Sequence, residues 1–443
     1  MSRPVLYLPH TTRQYLNGRF FKVIAALSRM MRSQLAHNAL SLYAVQGLNY
    51  LMPLIVLPYL LRVLSPEGYG SIVFAQALLG YAAIFTDFGF NLTAARDISV
   101  ARNDPRRIAE VYWTTMAAKA SLLLLCLIVI GGVVVADPKF RSHWQVFAAC
   151  GFLVIGSSAF PAWYFQGLEK LKEAALIQAV AKCVITGCTF LLVKSPGDIV
   201  LAAFLMSSPQ FIGVLVALCL RIPLSPPSFY RPTVANVRDA LKGSSDMFLS
   251  SASSSLYLYS NTFILGLMSG DRAVALYGLG NRLVLAVQSL TVPVTQAVFP
   301  RASILFASHP DQALQLVKRV AWLLFPAIAL VSLLMFIFAP FIVSVLGSAK
   351  YADAASVMRI MAPIPLLVTV SNVLVQIVMV NLGLTKQLLR MYITVGALNL
   401  LLLPPLVHFY QANGAALSLT IAETLAPIMI LRVLWRRHAF RKR

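Results

Sequence analysis

Four basic side chains lie within long apolar stretches of the sequence: Lys119, Lys182, Arg282 and Arg359. A charged side chain at the centre of a lipid bilayer costs at least about 2.5–3.5 kcal/mol, so residues of this kind usually face a water-filled cavity or a buried partner. Ammonium and guanidinium groups that share a cavity favour an anionic ligand. We therefore interpret these four residues as candidate ligand-binding cations of an internal cavity.

The depth of each cation in its apolar stretch decides how strongly it predicts a cavity. Lys182 lies near the middle of 174–194, too far from either membrane surface for its stem to reach, so we expect it to face a cavity. Arg282 is moderately deep. Lys119 either faces the cavity or extends its amine to the inner surface, and for Arg359, which is close to the outer surface, such extension is the favoured reading.

Two carboxylates also lie within apolar stretches. Glu423 is near the centre of 414–434, and Asp87 is in the inner third of 69–93. Deep carboxylates are either structural partners of buried cations or carriers of protons or sodium in transporters. The sequence leaves both readings open, so these two residues are candidates for ion coupling.

Uncharged polar residues in the apolar stretches predict a polar lumen. Gln46, Asn49 and Tyr50 lie in the first stretch, and Tyr257 and Asn261 lie in a serine-rich stretch of the second half. Small polar residues often serve only for close helix packing. Tyrosine and asparagine would also suit hydrogen bonding and stacking against a sugar.

The amino-acid composition indicates which class of protein contains these side chains. Apolar residues make up 59% of the 443 residues and charged residues 12%, with a mean hydropathy of +0.77. A soluble domain carries about 25% charged residues. A soluble enzyme, a secreted disulfide scaffold and a disordered protein are therefore disfavoured, and we predict an all-α integral membrane protein.

A helix needs about 20 apolar residues to cross a bilayer, and twelve stretches satisfy this requirement. The connections on one side of the membrane carry 27 basic residues and those on the other side carry 6, which predicts that both termini are cytoplasmic. This asymmetry also explains the formal net charge of +22 without a nucleic-acid partner. The predicted spans are 39–63, 69–93, 112–136, 145–166, 174–194, 199–220, 245–268, 274–298, 320–347, 355–380, 389–409 and 414–434.

A proline-rich connection, 221–244, separates six predicted spans from six others. An even number of spans makes both halves enter the membrane in the same direction, which predicts parallel repeats. We expect an N-terminal six-helix bundle over 39–220 and a C-terminal one over 245–434. The basic segment 1–38 is either an interfacial helix or a poorly ordered cytoplasmic tail, and 435–443 is a second basic cytoplasmic tail.

No pattern in the sequence predicts catalysis, a cofactor or a metal site. The six histidines and five cysteines have no metal-ligand spacing, and no phosphate-binding loop of the ATPase type is present. The predicted outer connections are too short to hold the active site of a membrane glycosyltransferase or polymerase. We therefore expect a protein that is not an enzyme.

The segments QGLNYLMPLIVLPYLLRVLSPEGYG (46–70) and DFGFNLTAARDIS (87–99) resemble the Wzx-type flippases of O-antigen and exopolysaccharide repeat units, in the superfamily of the multidrug and toxin extrusion (MATE) transporters. The resemblance implies two six-helix bundles around a central cavity in the bacterial inner membrane. It also implies translocation of undecaprenyl-pyrophosphate-linked oligosaccharide from the cytoplasmic to the periplasmic leaflet, for polysaccharide and lipopolysaccharide biosynthesis.

With such a substrate, our hypothesis for the candidate cations is that Lys182 and Arg282, with Lys119, would attract the pyrophosphate while the two bundles alternate in access. A polysaccharide polymerase and a chain-length regulator are the expected protein partners. Two alternatives stay open: a cation-coupled multidrug extrusion antiporter, and a non-transporting scaffold of a polysaccharide assembly complex.

Overall fold

The computed structural model describes residues 52–226, 228–347 and 349–436. These residues are almost entirely helical, and no strand occurs among them, so the predicted all-α class is confirmed. The predicted tail 1–38 and most of the predicted tail 435–443 lie outside the described residues.

The helices are numbered here in chain order from the first described one. The first eleven are α1 (Met52–Val63), α2 (Pro66–Asp87), α3 (Phe90–Val100), α4 (Pro105–Ala136), α5 (Pro138–Arg141), α6 (Trp144–Cys150), α7 (Phe152–Ala159), α8 (Ala162–Gly167), α9 (Leu171–Leu192), α10 (Ile199–Ser207) and α11 (Pro209–Cys219). The others are α12 (Val234–Ser289), α13 (Val292–Ser308), α14 (Pro310–Ile337), α15 (Ala339–Gly347), α16 (Ala354–Met361), α17 (Ile364–Asn372), a π-helical segment (Val373–Met379) and α18 (Thr385–Arg436).

Many of these helices are long and apolar enough to cross a membrane. The described residues contain eight such helices, or nine if the pair α10 and α11, bent by 64°, is one span. The bend falls at Pro209, whose missing backbone N–H interrupts the helical hydrogen bonds. The protein is therefore a multi-pass membrane protein.

Gly270 is a turn that divides α12 into two antiparallel segments. In a straight helix, Gly266 and Gly278 would lie about 18 Å apart. Instead, Gly266 packs against Phe74 and Gly278 against Val73, neighbouring residues of α2. The backbone of Gly270 has φ 80° and ψ 180°, a conformation that glycine adopts without a steric penalty. We refer to the segments before and after Gly270 as α12a and α12b.

Gln411 divides α18 in the same way. Ser418 donates a hydrogen bond of 2.9 Å to the Oδ1 atom of Asn399, although a straight helix would separate these residues by about 28 Å. Gln411 has φ 48° and ψ −122°, and the next turn brings Gly414 against the backbone of Leu406. Both turns fall between stretches predicted as separate spans. The total of twelve spans stays a prediction, because the first begins outside the described residues.

Helix α2 contacts α12 very closely, and glycines permit this contact. A Cβ atom at Gly70 would lie 1.8 Å from the carbonyl oxygen of Asp271, and one at Gly80 would lie 2.6 Å from the ring of Tyr259. Gly89, just after α2, also packs against α12a. Small residues let two helix backbones approach closely in a membrane. The contact joins the two predicted bundles, whose boundaries stay a prediction.

Polar contacts between the two predicted bundles cluster at the end of the helices near Gly270. The Nζ atom of Lys139 donates hydrogen bonds of 2.6 and 2.8 Å to the carbonyl oxygens of Gly266 and Leu267, at the end of α12a. Arg62 donates a hydrogen bond of 2.6 Å to the carbonyl oxygen of Val345 in α15. These bonds hold this end of the helices together.

Candidate functional site

A large cavity lies between α1, α2, α7 and both segments of α12. It has a volume of about 610 Å³, and we call it the polar cavity. Several of its lining side chains offer amide, hydroxyl or guanidinium groups. They are Gln76, Tyr259, Thr262, Asn281, Arg282, Gln288, Ser289 and Asn372.

Helix α12b supplies one polar wall of this cavity. Gly278, Asn281, Arg282, Leu285 and Ser289 all line it, and their spacing of three or four residues places them on one helical face. The close approach of Gly278 to α2 positions this face opposite Gln76. The fold therefore exposes a basic group and several amide groups to one cavity.

Neutral side chains hold the guanidinium group of Arg282. Its Nη2 atom donates a hydrogen bond of 3.2 Å to Oε1 of Gln76, and Nε2 of Gln76 donates one of 2.9 Å to Oγ of Ser207 in α10. None of the ion pairs found within the described residues includes Arg282. An amide partner orients the group but does not neutralise its charge.

A smaller cavity of about 90 Å³ adjoins the polar cavity, and we call it the lysine cavity. Lys182 lines it together with Arg282, and both Arg282 and Pro53 also line the polar cavity. The structure thus brings together the two cations that the sequence analysis ranked deepest. Among the described residues that line either cavity, none is an aspartate or a glutamate.

Lys119 has a different environment from these two cations. Its side chain is 2% exposed, its Nζ atom lies 3.3 Å from Oδ1 of Asp87, and it also donates to the carbonyl oxygen of Ser157 at 3.1 Å. It lines neither the polar nor the lysine cavity. The pair joins α2, α4 and α7, and a role of Asp87 in ion coupling stays a prediction.

Three other predicted site residues also lie away from both cavities. Arg359 is exposed on α16, and Glu423 is partly buried on the second segment of α18. Asn261, expected in the lumen, is 1% exposed and accepts a hydrogen bond of 3.2 Å from Asn399. This interaction fixes Asn261 between α12a and α18, away from both described cavities.

The side chains of the other predicted lumen residues lie outside the described part of the structure. Gln46, Asn49 and Tyr50 lie outside the described residues. The backbone of Tyr257 belongs to α12a, but its side chain is outside the described part.

The sequence analysis did not single out several residues that line the polar cavity. Gln76 is an isolated amide in an apolar helix, and Asn281, Gln288 and Ser289 recur at helical spacing on α12b. This periodic polar face of α12b could have been recognised from the sequence as the wall of a polar cavity. Asn372 had no such clear signal, because it is one of a few polar residues in a stretch interrupted by prolines.

A membrane protein whose long helices enclose a basic, polar cavity belongs to the class of multi-pass transporters. Two solved structures share the fold. An inward-facing multidrug resistance MATE transporter of the MOP superfamily has a TM-score of 0.65 and 16% identity, covering 91% of this chain and 98% of that chain. The lipid II flippase MurJ, in an inward closed conformation, has a TM-score of 0.63 and 15% identity, covering 89% and 87%.

Sequence comparison identifies the family. Residues 35–306 match the family described as "Polysaccharide biosynthesis protein", and the chain belongs to this family. It is 31% identical over 397 residues to the "Putative O-antigen transporter" of Escherichia coli (strain K12), covering 90% of this chain and 96% of that protein. The resemblance and the MATE-like fold predicted from the sequence are confirmed.

Proposed function

We propose that this protein is a flippase that moves oligosaccharide repeat units linked to undecaprenyl pyrophosphate across the bacterial inner membrane. The units move from the cytoplasmic to the periplasmic leaflet, where they supply O-antigen or exopolysaccharide biosynthesis. Family membership and the similarity to an O-antigen transporter support this function. The observation that carries it is the basic site at which Arg282 and Lys182 share one cavity, without a described carboxylate among its lining residues.

The pyrophosphate of the substrate binds at this basic site. The planar guanidinium of Arg282 can donate two parallel hydrogen bonds to phosphate oxygens, and the amine of Lys182 adds a point charge. Gln76 holds Arg282 in position before the substrate arrives. An anion that replaces this neutral amide gains charge-assisted hydrogen bonds, which are stronger than those between neutral groups.

The sugars occupy the polar cavity, and the polyprenyl chain stays in the surrounding lipid. The cavity volume of about 610 Å³ lies within the range of 300–1,000 Å³ found for ligand sites. Asn281, Gln288 and Asn372 can donate and accept hydrogen bonds with sugar hydroxyls. The ring of Tyr259 offers a surface for stacking against a sugar.

Transport proceeds by alternating access between the two bundles, 39–220 and 245–434. The contacts of Lys139 and Arg62 close one end, which the distribution of basic residues assigns to the periplasmic side. Both termini are cytoplasmic on the same argument. Moving two negative charges outward from a negative interior gains about 2.3 kcal/mol per charge for each 100 mV. Coupling to an ion through Glu423 is therefore not required.

Cation-coupled drug export is less well supported than flipping. A cavity for cationic drugs should contain carboxylates, and the described lining residues of both cavities contain none. The MATE transporter shares only the fold, at 16% identity. We propose that the protein acts as a transporter and not as an enzyme, beside a polysaccharide polymerase and a chain-length regulator.

Substitution of the two cations tests this proposal. We expect Arg282→Gln to lower surface polysaccharide about tenfold or more, because a charge-assisted hydrogen bond contributes about 1.5–3 kcal/mol. Lys182→Met should act in the same direction, and Arg359→Gln, which removes an exposed arginine, is the matched control. Surface polysaccharide and lipid-linked intermediates would be measured at equal protein abundance in the source bacterium. Wild-type polymer levels in both cavity variants would reject the basic site.

A further inference from the structure

A second polar pocket lies between α3, α4 and the start of α12, and we call it the α3–α4 pocket. It has a volume of about 370 Å³. Its lining residues come from, or lie beside, the connections 94–110 and 221–244, which the basic-residue count assigns to the cytoplasmic side. The proposed function does not use this pocket.

One threonine hydroxyl in its wall is buried without a partner. Thr114 lines the pocket at 7% exposure, and its hydroxyl forms no hydrogen bond with a described residue. Leaving a buried hydroxyl unsatisfied costs about 1–3 kcal/mol. By contrast, Ser244 in the same wall is bonded to Thr93 at 2.7 Å. The unsatisfied hydroxyl of Thr114 therefore points to a polar ligand as its partner.

The charges around the pocket indicate which hydrogen-bonding groups such a ligand carries. Both arginines that line it, Arg96 and Arg107, are paired with carboxylates, of Asp97 at 3.1 Å and Glu110 at 2.6 Å. The third carboxylate, of Asp239, forms no ion pair with a described residue. Ionised carboxylates only accept hydrogen bonds. The surplus of carboxylates disfavours a phosphate and favours a ligand that carries several hydroxyl donors.

We propose that the α3–α4 pocket binds a sugar residue of the lipid-linked oligosaccharide on the cytoplasmic side. This inference rests on the proposed function and adds a second binding site, which recognises the sugar and not the pyrophosphate. Sugar hydroxyls donate to Asp239 and exchange hydrogen bonds with Thr114. Phe90 and Val111, which also line the pocket, face the C–H groups of the ring. The pocket thereby selects among oligosaccharides before they reach Arg282.

Two lipid probes separate sugar recognition from pyrophosphate recognition. The full-length protein is placed in nanodiscs of phosphatidylglycerol and titrated with undecaprenyl pyrophosphate, or with lipid-linked oligosaccharide extracted from the source bacterium. We expect Asp239→Asn and Thr114→Val each to weaken binding of the oligosaccharide probe about five- to tenfold. Binding of undecaprenyl pyrophosphate should not change. Asp246→Asn, an exposed carboxylate further along α12a, is the matched control.

Each other outcome overturns the proposal in a recognisable way. Wild-type binding of the oligosaccharide probe by both variants shows that the pocket does not bind sugar. Equal weakening of both probes shows a general effect on substrate binding. If phosphatidylethanolamine stabilises the wild type but not Asp239→Asn, with oligosaccharide binding unchanged, the pocket holds a lipid headgroup. If the wild-type protein binds neither probe, the proposed function itself fails.

Discussion

Replacement of Gly70 by alanine tests the close contact between α2 and α12. The added Cβ atom would lie 1.8 Å from the carbonyl oxygen of Asp271, whereas ordinary van der Waals contact begins at 3.4 Å. The obstacle is backbone and not a flexible side chain, so the helices must separate locally by about 1.6 Å. A gap of 0.5–1 Å already removes about a quarter to a half of the dispersion energy of the atoms concerned.

The net effect on stability combines two opposing contributions. Overpacking of this kind costs about 1–3 kcal/mol, and more where backbone atoms must move. Alanine in place of glycine in a helix gains about 1 kcal/mol. We expect Gly70→Ala to lower the free energy of unfolding by about 2 kcal/mol and to reduce surface polysaccharide.

Gly132→Ala is the matched control, because a Cβ atom there meets nothing within 4 Å. It retains the gain in helix propensity without the clash, so it should leave the protein as stable as the wild type or more so. Thermal unfolding of the purified protein in detergent measures both variants. An unfolding temperature for Gly70→Ala at or above that of Gly132→Ala would refute the close contact.

Two further substitutions test the polar contacts. Lys119→Met leaves the carboxylate of Asp87 unpaired between helices and should lower the free energy of unfolding by about 3–5 kcal/mol. The double variant that also carries Asp87→Asn should restore most of the folded protein, measured by gel filtration. A double variant that folds no better than Lys119→Met would contradict the pairing. Lys139→Met removes the two hydrogen bonds to the end of α12a, so a cysteine introduced at Ser269 should react faster with a membrane-impermeant thiol reagent. An unchanged rate would show that Lys139 does not hold this end closed.

The membrane architecture was predictable because its cause is local. Each crossing needs a run of apolar residues, and each predicted turn between runs contains residues that interrupt them, such as Gly270. Depth in the apolar stretches likewise singled out Lys182 and Arg282, which both line a described cavity, and their role in ligand binding stays a prediction. That these two line the same small cavity could not be read from the sequence, because it depends on where α9, which contacts α1, lies relative to the turn of α12 that carries Arg282.

The contacts of a polar residue could not be predicted where the rotation of a helix about its axis decides which neighbour the residue faces. Asn261 has the polarity of a lumen residue, but its face of α12a turns toward Asn399, which is distant in the chain. The environment of Lys119 depends in the same way on the position of Asp87 in α2. Pairings of this kind require the neighbours of each helix, which a single sequence does not supply.

The π-helical segment Val373–Met379 changes the phase of the helix that contains it. Its wider turns, closed by bonds such as the one of 3.0 Å from the amide of Val380 to the carbonyl oxygen of Val375, hold about one residue more than an α-helical turn. Residues after the segment are therefore displaced by about 100° from where a period of 3.6 would put them. Asn372, just before it, can face the polar cavity while the following residues, nearly all buried, pack into the protein. A single-residue deletion here would rotate one end of this helix against the other.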